Sequence, residues 1–190
     1  SGLKYPAIFH LAMHAIPDTA DSKYSYLIFD THSDTAEDWK LYDYEISLIR
    51  IKSPMVVLSA CNTGTGTLRR GEGVMSITRA FRLAGASSVI KTLWDVNDET
   101  GAEIITSFYD KLSRGKDKDV ALRLAKLEYL RNSKPQYKNP YFWAAYQVVG
   151  DKSSIVKSNK TRLFIIILFV IILSAGIWKL YFKRRRSFSA

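Results

Sequence analysis

The 190-residue sequence predicts an α/β fold, a mostly parallel sheet with helices on both faces. Three observations lead there. Apolar runs at 7–13, 55–60 and 88–94 have strand length and are bounded by turn residues. Segments at 73–83, 99–112 and 120–131 place apolar residues at helical spacing. The two kinds alternate along the chain, as crossovers between parallel strands require.

The elements follow in order. The run 7–13 reads as a buried strand. Residues 26–29 and 39–41 form a short hairpin, or an excursion around a loop rich in Asp, Ser and Thr. Residues 43–51 suit one or two helical turns, and 55–60 is the second buried strand. Val74, Ile77, Ala80, Phe81 and Ala84 share one face of a helix over 73–83 that Gly85 stops. A third strand occupies 88–94. Ile104, Ile105, Phe108, Tyr109 and Leu112 line one face of a helix over 99–112, and 113–115 ends it. Another helix covers 120–131, and 142–149 is a final strand or extended segment.

Charge divides the chain. The net charge is +10, yet residues 1–150 hold 19 Lys/Arg against 17 Asp/Glu whereas 151–190 hold 9 against 1. The basicity therefore flanks an apolar tail, which implies a lipid surface and argues against nucleic acid as a partner. Residues 1–150 are expected to form one domain, 151–162 a polar basic linker, 163–182 a transmembrane helix and 183–190 a basic tail. Twenty residues as a helix span roughly 30 Å, about the hydrocarbon thickness of a bilayer. Trp178 and Tyr181 suit the interface, and Lys183-Arg184-Arg185-Arg186 closes the segment. A single-pass membrane protein with lipid contact through 163–186 is the expectation, against a buried core helix as the plainer alternative. Four cations before the helix and five after leave its orientation, and so the side of the large domain, open. A single cysteine excludes an internal disulfide. The start Ser1-Gly2-Leu3, entering a strand within a few residues, suggests the C-terminal piece of a larger protein.

Chemistry gathers at the ends of two strands. The chain's one cysteine, Cys61, follows an apolar run into a Gly-rich turn, and His14 ends another such run 47 residues earlier. Buried parallel strands that each finish on half of a thiol–imidazole pair suit a cysteine peptidase, because reactive groups collect at the carboxyl ends of parallel strands. The plainer reading of Cys61 is a small buried apolar residue. Alternation puts His10, Ala12 and His14 on one face, with His10 as a packing residue, and His32 falls in a polar loop. Gly64, Gly66, Gly71 and Gly73 resemble a phosphate loop, but no Gly-Lys-Ser/Thr follows, so no nucleotide and no cofactor is expected. One Cys and three His without ligand spacing predict no metal site.

Several blocks occur together in one order: His14, Leu58-Ser59-Ala60-Cys61-Asn62-Thr63-Gly64, Gly71-Glu72-Gly73-Val74, Ala84-Gly85-Ala86, Leu93-Trp94-Asp95-Val96-Asn97-Asp98, Phe108-Tyr109 and Tyr141-Phe142-Trp143-Ala144-Ala145-Tyr146. Over roughly residues 5–151 they resemble the CHAT domain, a caspase-like family of the caspase and separase clan of cysteine peptidases, often joined to TPR repeats. The resemblance implies a caspase–haemoglobinase-like α/β fold, here without that fold's first strand–helix units, and a Cys/His dyad. It makes Cys61 the nucleophile and His14 the general base, with backbone N–H groups of Ala15 and Cys61 as the oxyanion hole. Family members usually carry Gly after the histidine; the Cβ of Ala15 restricts φ and close approach, so reduced activity is one expectation.

The same resemblance makes Asp95 and Asp98 candidates to line a pocket for a basic substrate side chain; the alternative is that Asn97 or Asp98 caps the helix that follows. Two functions result. One is a membrane-anchored cysteine endopeptidase that acts on a protein or peptide substrate under control of an upstream TPR-type or partner domain. The other is a catalytically impaired CHAT-like interaction scaffold.

Overall fold

The structure is a computed structural model that describes residues 8–18, 20–29, 39–59, 72–156 and 169, with 72–75 described in backbone only. The chain divides into two compact units, Ser1–Val156 and Lys157–Ala190.

In the first unit, β1 (Phe9–Leu11), β5 (Val56–Leu58), β6 (Ser88–Thr92) and β7 (Tyr146–Gly150) form one sheet in that spatial order. β1 pairs parallel with β5, and β5 with β6, but β7 runs antiparallel to β6. A second sheet joins β2 (Ala15–Ile16), β3 (Tyr26–Ile28) and β4 (Lys40–Tyr42), all antiparallel. The expected mostly parallel sheet is thus corrected to a mixed α/β arrangement of parallel and antiparallel strands. The cause is connectivity. Two long helices, α3 (Asp98–Ser113) and α4 (Lys118–Asn132), follow β6 in place of one, before the single turn α5 (Pro140–Trp143) leads into β7. Antiparallel to each other, such a pair returns the chain to the end it left, where the next strand must run backwards.

Register explains the layering. Phe9, Val56 and Val89 are aligned across the sheet, and with Leu58 they pack on Ile46 of α1 (Asp43–Leu48) and on Ile77, Ala80 and Phe81 of α2 (Glu72–Leu83). One residue along, every side chain changes face. Val57 and Ile90, with Met55, meet Ile104, Ile105, Phe108 and Leu112 of α3 and Ala121, Leu122 and Ala125 of α4. Burying a side chain such as Phe108, fully enclosed here, stabilises by about 1.5–3 kcal/mol.

Local chemistry sets the helix ends. Asn97 caps α3 by accepting from the Thr100 N–H at 3.2 Å. The Tyr42 N–H donates to the Glu45 carboxylate at 2.9 Å where α1 begins. Past α2, Gly85 adopts a φ of +107° and the Ala86 N–H reaches back to the Phe81 carbonyl at 3.0 Å, closing the helix with a left-handed cap. Beyond β7, Lys118 is buried and donates to the backbone carbonyl of Asp151 at 3.1 Å and to its carboxylate at 3.2 Å, fastening α4 to the strand's end.

In the second unit Phe169 alone is described, in helical conformation. The rest of the segment 163–182 lies outside the described residues. Among the described residues no helix is long and apolar enough to cross a membrane. The longest, α3, has 16 residues and carries Asp98, Glu99, Glu103, Asp110 and Lys111. The expected transmembrane helix is therefore corrected, and with it the single-pass membrane localisation.

Candidate active site

The site is built at the carboxyl ends of β1 and β5. Leu11 and Leu58 are register partners, and the Ser59 N–H donates to the Leu11 carbonyl at 3.2 Å, extending the pairing by a step. His14 stands three residues after Leu11 in the chain and Cys61 three after Leu58. Cys61, the glycines at 64, 66 and 71, and His32 lie outside the described residues.

His14 is solvent-exposed between β1 and β2, and its carbonyl accepts from the Ile28 N–H at 2.9 Å. That bond makes His14 and Ile28 a hydrogen-bonded antiparallel pair, so Ala15, next along and opposite Leu27, falls in the non-hydrogen-bonded position. The β2–β3 ladder does not consume the Ala15 N–H. Ala15 is buried in a strand, an extended conformation open to any L-residue, so this position makes no demand for glycine.

A cleft of about 490 Å³ opens beside the ends of β1 and β5. His10, Ala12 and Ser59 line it from the sheet, and Asp98, Gly101, Thr106 and Tyr109 from α3. Alternation placed His10, Ala12 and His14 on one face, but β1 ends at Leu11 and the chain bends; His10 and Ala12 line the cleft and His14 does not.

His10 is more than a packing residue. Its Nε2 lies 2.7 Å from the Ser59 hydroxyl and its Nδ1 3.2 Å from the Tyr109 hydroxyl, with the two rings 5.7 Å apart. Desolvation lowers the imidazole pKa below its ordinary value, and burial pushes the Tyr109 phenol up to about 12. At neutral pH both are uncharged. Among the described residues Asp98 is the only carboxyl side chain lining the cleft, and none of them that line it is a Lys or Arg.

The two candidate aspartates separate. Asp98, exposed in the first turn of α3, lines the cleft, while partly buried Asp95 does not. The cap of α3 is Asn97, which leaves the Asp98 carboxylate out of that role. Sequence reasoning gave Ser59 and Tyr109 no role in the site. The signal for Tyr109 was a phenol on an otherwise apolar helix face; that for Ser59 was a hydroxyl at the very end of a buried strand. Gly101 matters by its missing side chain, since a Cβ there would lie 2.8 Å from the Tyr146 hydroxyl.

Comparison with known proteins adds the family. The CHAT domain model matches residues 2–151. Over 102 residues the chain is 29% identical to Tetratricopeptide repeat protein 28 of Mus musculus, and equally to that of Homo sapiens. The alignment covers 54% of this chain and 4% of either relative, so the chain spans a small part of the curated proteins it matches.

Proposed function

Because the chain belongs to the CHAT domain family, a caspase-like family, we propose that it is a cysteine endopeptidase with Cys61 as nucleophile and His14 as general base. The observation that carries this reading is the parallel β1–β5 register. Adjacent strands end level at Leu11 and Leu58, and each chain continues three residues to one member of the dyad.

The chemistry runs in two halves. A thiol of ordinary pKa about 8.5 needs a neighbouring base to become a competent nucleophile at neutral pH. His14 takes the Cys61 proton as sulfur attacks the scissile carbonyl carbon. The C–N bond then breaks, and the departing amine takes that proton from His14, leaving a thioester. Water attacks the thioester, gives a proton to His14 and releases the new carboxyl terminus, and the proton returns to the thiolate. The Ala15 and Cys61 backbone N–H groups serve the oxyanion. The extended conformation of Ala15 supports that role and weakens the reading of a decayed scaffold.

The cleft supports a preference for cationic substrate side chains. Asp98 lines it with no Lys or Arg among the described lining residues, which supports Asp98, of the two candidate aspartates, as the substrate-binding one. An upstream TPR-type domain as regulator is in keeping with the TPR-protein relatives.

The test is cleavage of Arg-, Lys-, Leu- and Asp-terminated peptide reporters. Turnover is expected to vanish in Cys61→Ala and to fall by about 10²–10⁴ in His14→Ala. Asp98→Asn is expected to lower the Arg-over-Leu preference by about threefold to tenfold, the range of an exposed ion pair made stronger by partial enclosure. Turnover that persists in Cys61→Ala would refute the peptidase reading; an unchanged Arg-over-Leu ratio would remove Asp98 from it.

A further inference from the structure

We propose that His10 is a positioning residue of this peptidase site, whose imidazole clamps Ser59, two residues ahead of Cys61, to Tyr109 on the far wall of the cleft. The inference rests on the peptidase reading and adds a residue to it.

Register makes His10 unusual. It is the β1 partner of Val57, which in turn pairs with Ile90. Both neighbours are buried aliphatics turned toward α3 and α4. His10 itself is exposed at the cleft, so the apolar core does not account for its contacts. The chain has an imidazole with both nitrogens engaged, at 2.7 Å from Ser59 Oγ and 3.2 Å from the Tyr109 hydroxyl.

The neutral ring offers one N–H and one bare nitrogen, and the Ser59 and Tyr109 hydroxyls can each donate or accept, so either tautomer engages both nitrogens at once. A ring held from both sides has one orientation. The effect is felt at Ser59, which β1 then holds twice: its N–H through the Leu11 carbonyl and its hydroxyl through His10. Among the described residues these are the last β1–β5 ties before the chain leads on toward His14 and Cys61. A displacement of about 1 Å at a reacting atom costs up to 10²-fold in rate, so the geometry of that final step matters to the dyad.

Side-chain geometry supplies the test. The amide nitrogen of Gln reaches the position of the imidazole Nε2, and that of Asn the position of Nδ1. His10→Gln therefore keeps the Ser59 arm and His10→Asn the Tyr109 arm. Two readouts are taken on the full chain with Ser59→Ala and Tyr109→Phe beside them: kcat and KM on the Arg reporter, and the rate at which iodoacetamide alkylates Cys61, the one cysteine. We expect His10→Ala, His10→Asn and Ser59→Ala each to lower kcat about tenfold, one hydrogen bond's worth, with KM changed less than twofold. The same three variants should slow alkylation in parallel, and His10→Gln should recover at least half of both losses.

A merely structural role predicts another pattern, in which kcat and alkylation stay at the wild-type level in every variant that remains folded by circular dichroism. That result overturns the proposal, as does a His10→Gln no better than His10→Ala. Failure of the peptidase reading shows separately, as absent reporter turnover with alkylation indifferent to His14→Ala. The alkylation rates of the His10 series then decide this proposal by the same criteria.

Discussion

The two faces of the main sheet are made from alternate residues of the same strands, yet they end differently. Toward α1 and α2, Phe9, Val56, Leu58 and Val89 meet Ile46, Ile77 and Phe81 in an apolar seam. Toward α3 and α4 the seam is equally apolar at Val57 and Ile90, but at the β1 position it meets His10 and opens into the cleft. One side chain in the register separates a face that only stabilises from a face that also presents polar groups to a ligand. Enclosed apolar surface and a usable site are not alternatives here; the first runs continuously into the second.

The largest way to test that contrast is to excavate each face in turn. Phe81→Ala and Phe108→Ala each remove a buried ring and are expected to cost about 3–5 kcal/mol in denaturant unfolding. Only Phe108→Ala, next to Tyr109 on α3, should also reduce reporter turnover in the fraction that remains folded. Equal turnover losses from both would show that the faces are not functionally distinct.

A smaller effect comes from adding a methyl group. Gly85→Ala puts a Cβ 2.5 Å from the Ile51 carbonyl oxygen at a φ of +107°, and Gly101→Ala puts one 2.8 Å from the Tyr146 hydroxyl. Each is expected to destabilise by about 1–3 kcal/mol. Gly101 lines the cleft, so its substitution alone should raise KM, by about twofold to fivefold. Thermal melts with steady-state kinetics on both variants distinguish the two.

The smallest is a slope in pH. Because folding lowers the His10 pKa, the unfolded chain binds the proton more readily. The associated stability is present above the unfolded value of about 6.5 and is lost as pH falls from there toward the folded pKa. In unfolding titrations between pH 7 and pH 5, His10→Gln should show a shallower decline than the wild type. An identical decline would mean that other groups carry it.

Much of the fold was legible because apolar periodicity survives folding. The helix expected over 99–112 is α3 at Asp98–Ser113, and the strand expected over 88–94 is β6 at Ser88–Thr92. Strand direction was not legible: an alternating or continuous apolar run reads the same whether its neighbour is parallel or not, so β7 gave no sign of its reversal. The run at 7–13 hid a break. Only a bend lets Phe9–Leu11 serve one sheet and Ala15–Ile16 another, and apolar residues are compatible with both. Of the site, Asp98 was readable as a carboxylate near a helix start, and its separation from Asp95 was not, because cleft lining is decided by the path of the intervening turn. The His10 contacts were hidden for a related reason. Ser59 and Tyr109 lie 49 and 99 residues away in the chain, and no local pattern encodes a contact at that distance.

The reversal of β7 also determines how the first unit would respond to tension. Phe9 pairs with Val56 and Gly150 with Ser88, so the chain enters β1 and leaves β7 at the same end of the sheet, opposite the cleft. Among the described residues, β1 and β7 are also its two outer strands. A pull applied through these two points would open each outer strand like a zipper, loading its hydrogen bonds one after another and never all at once. The end of the sheet that bears the cleft would be the last to feel the force.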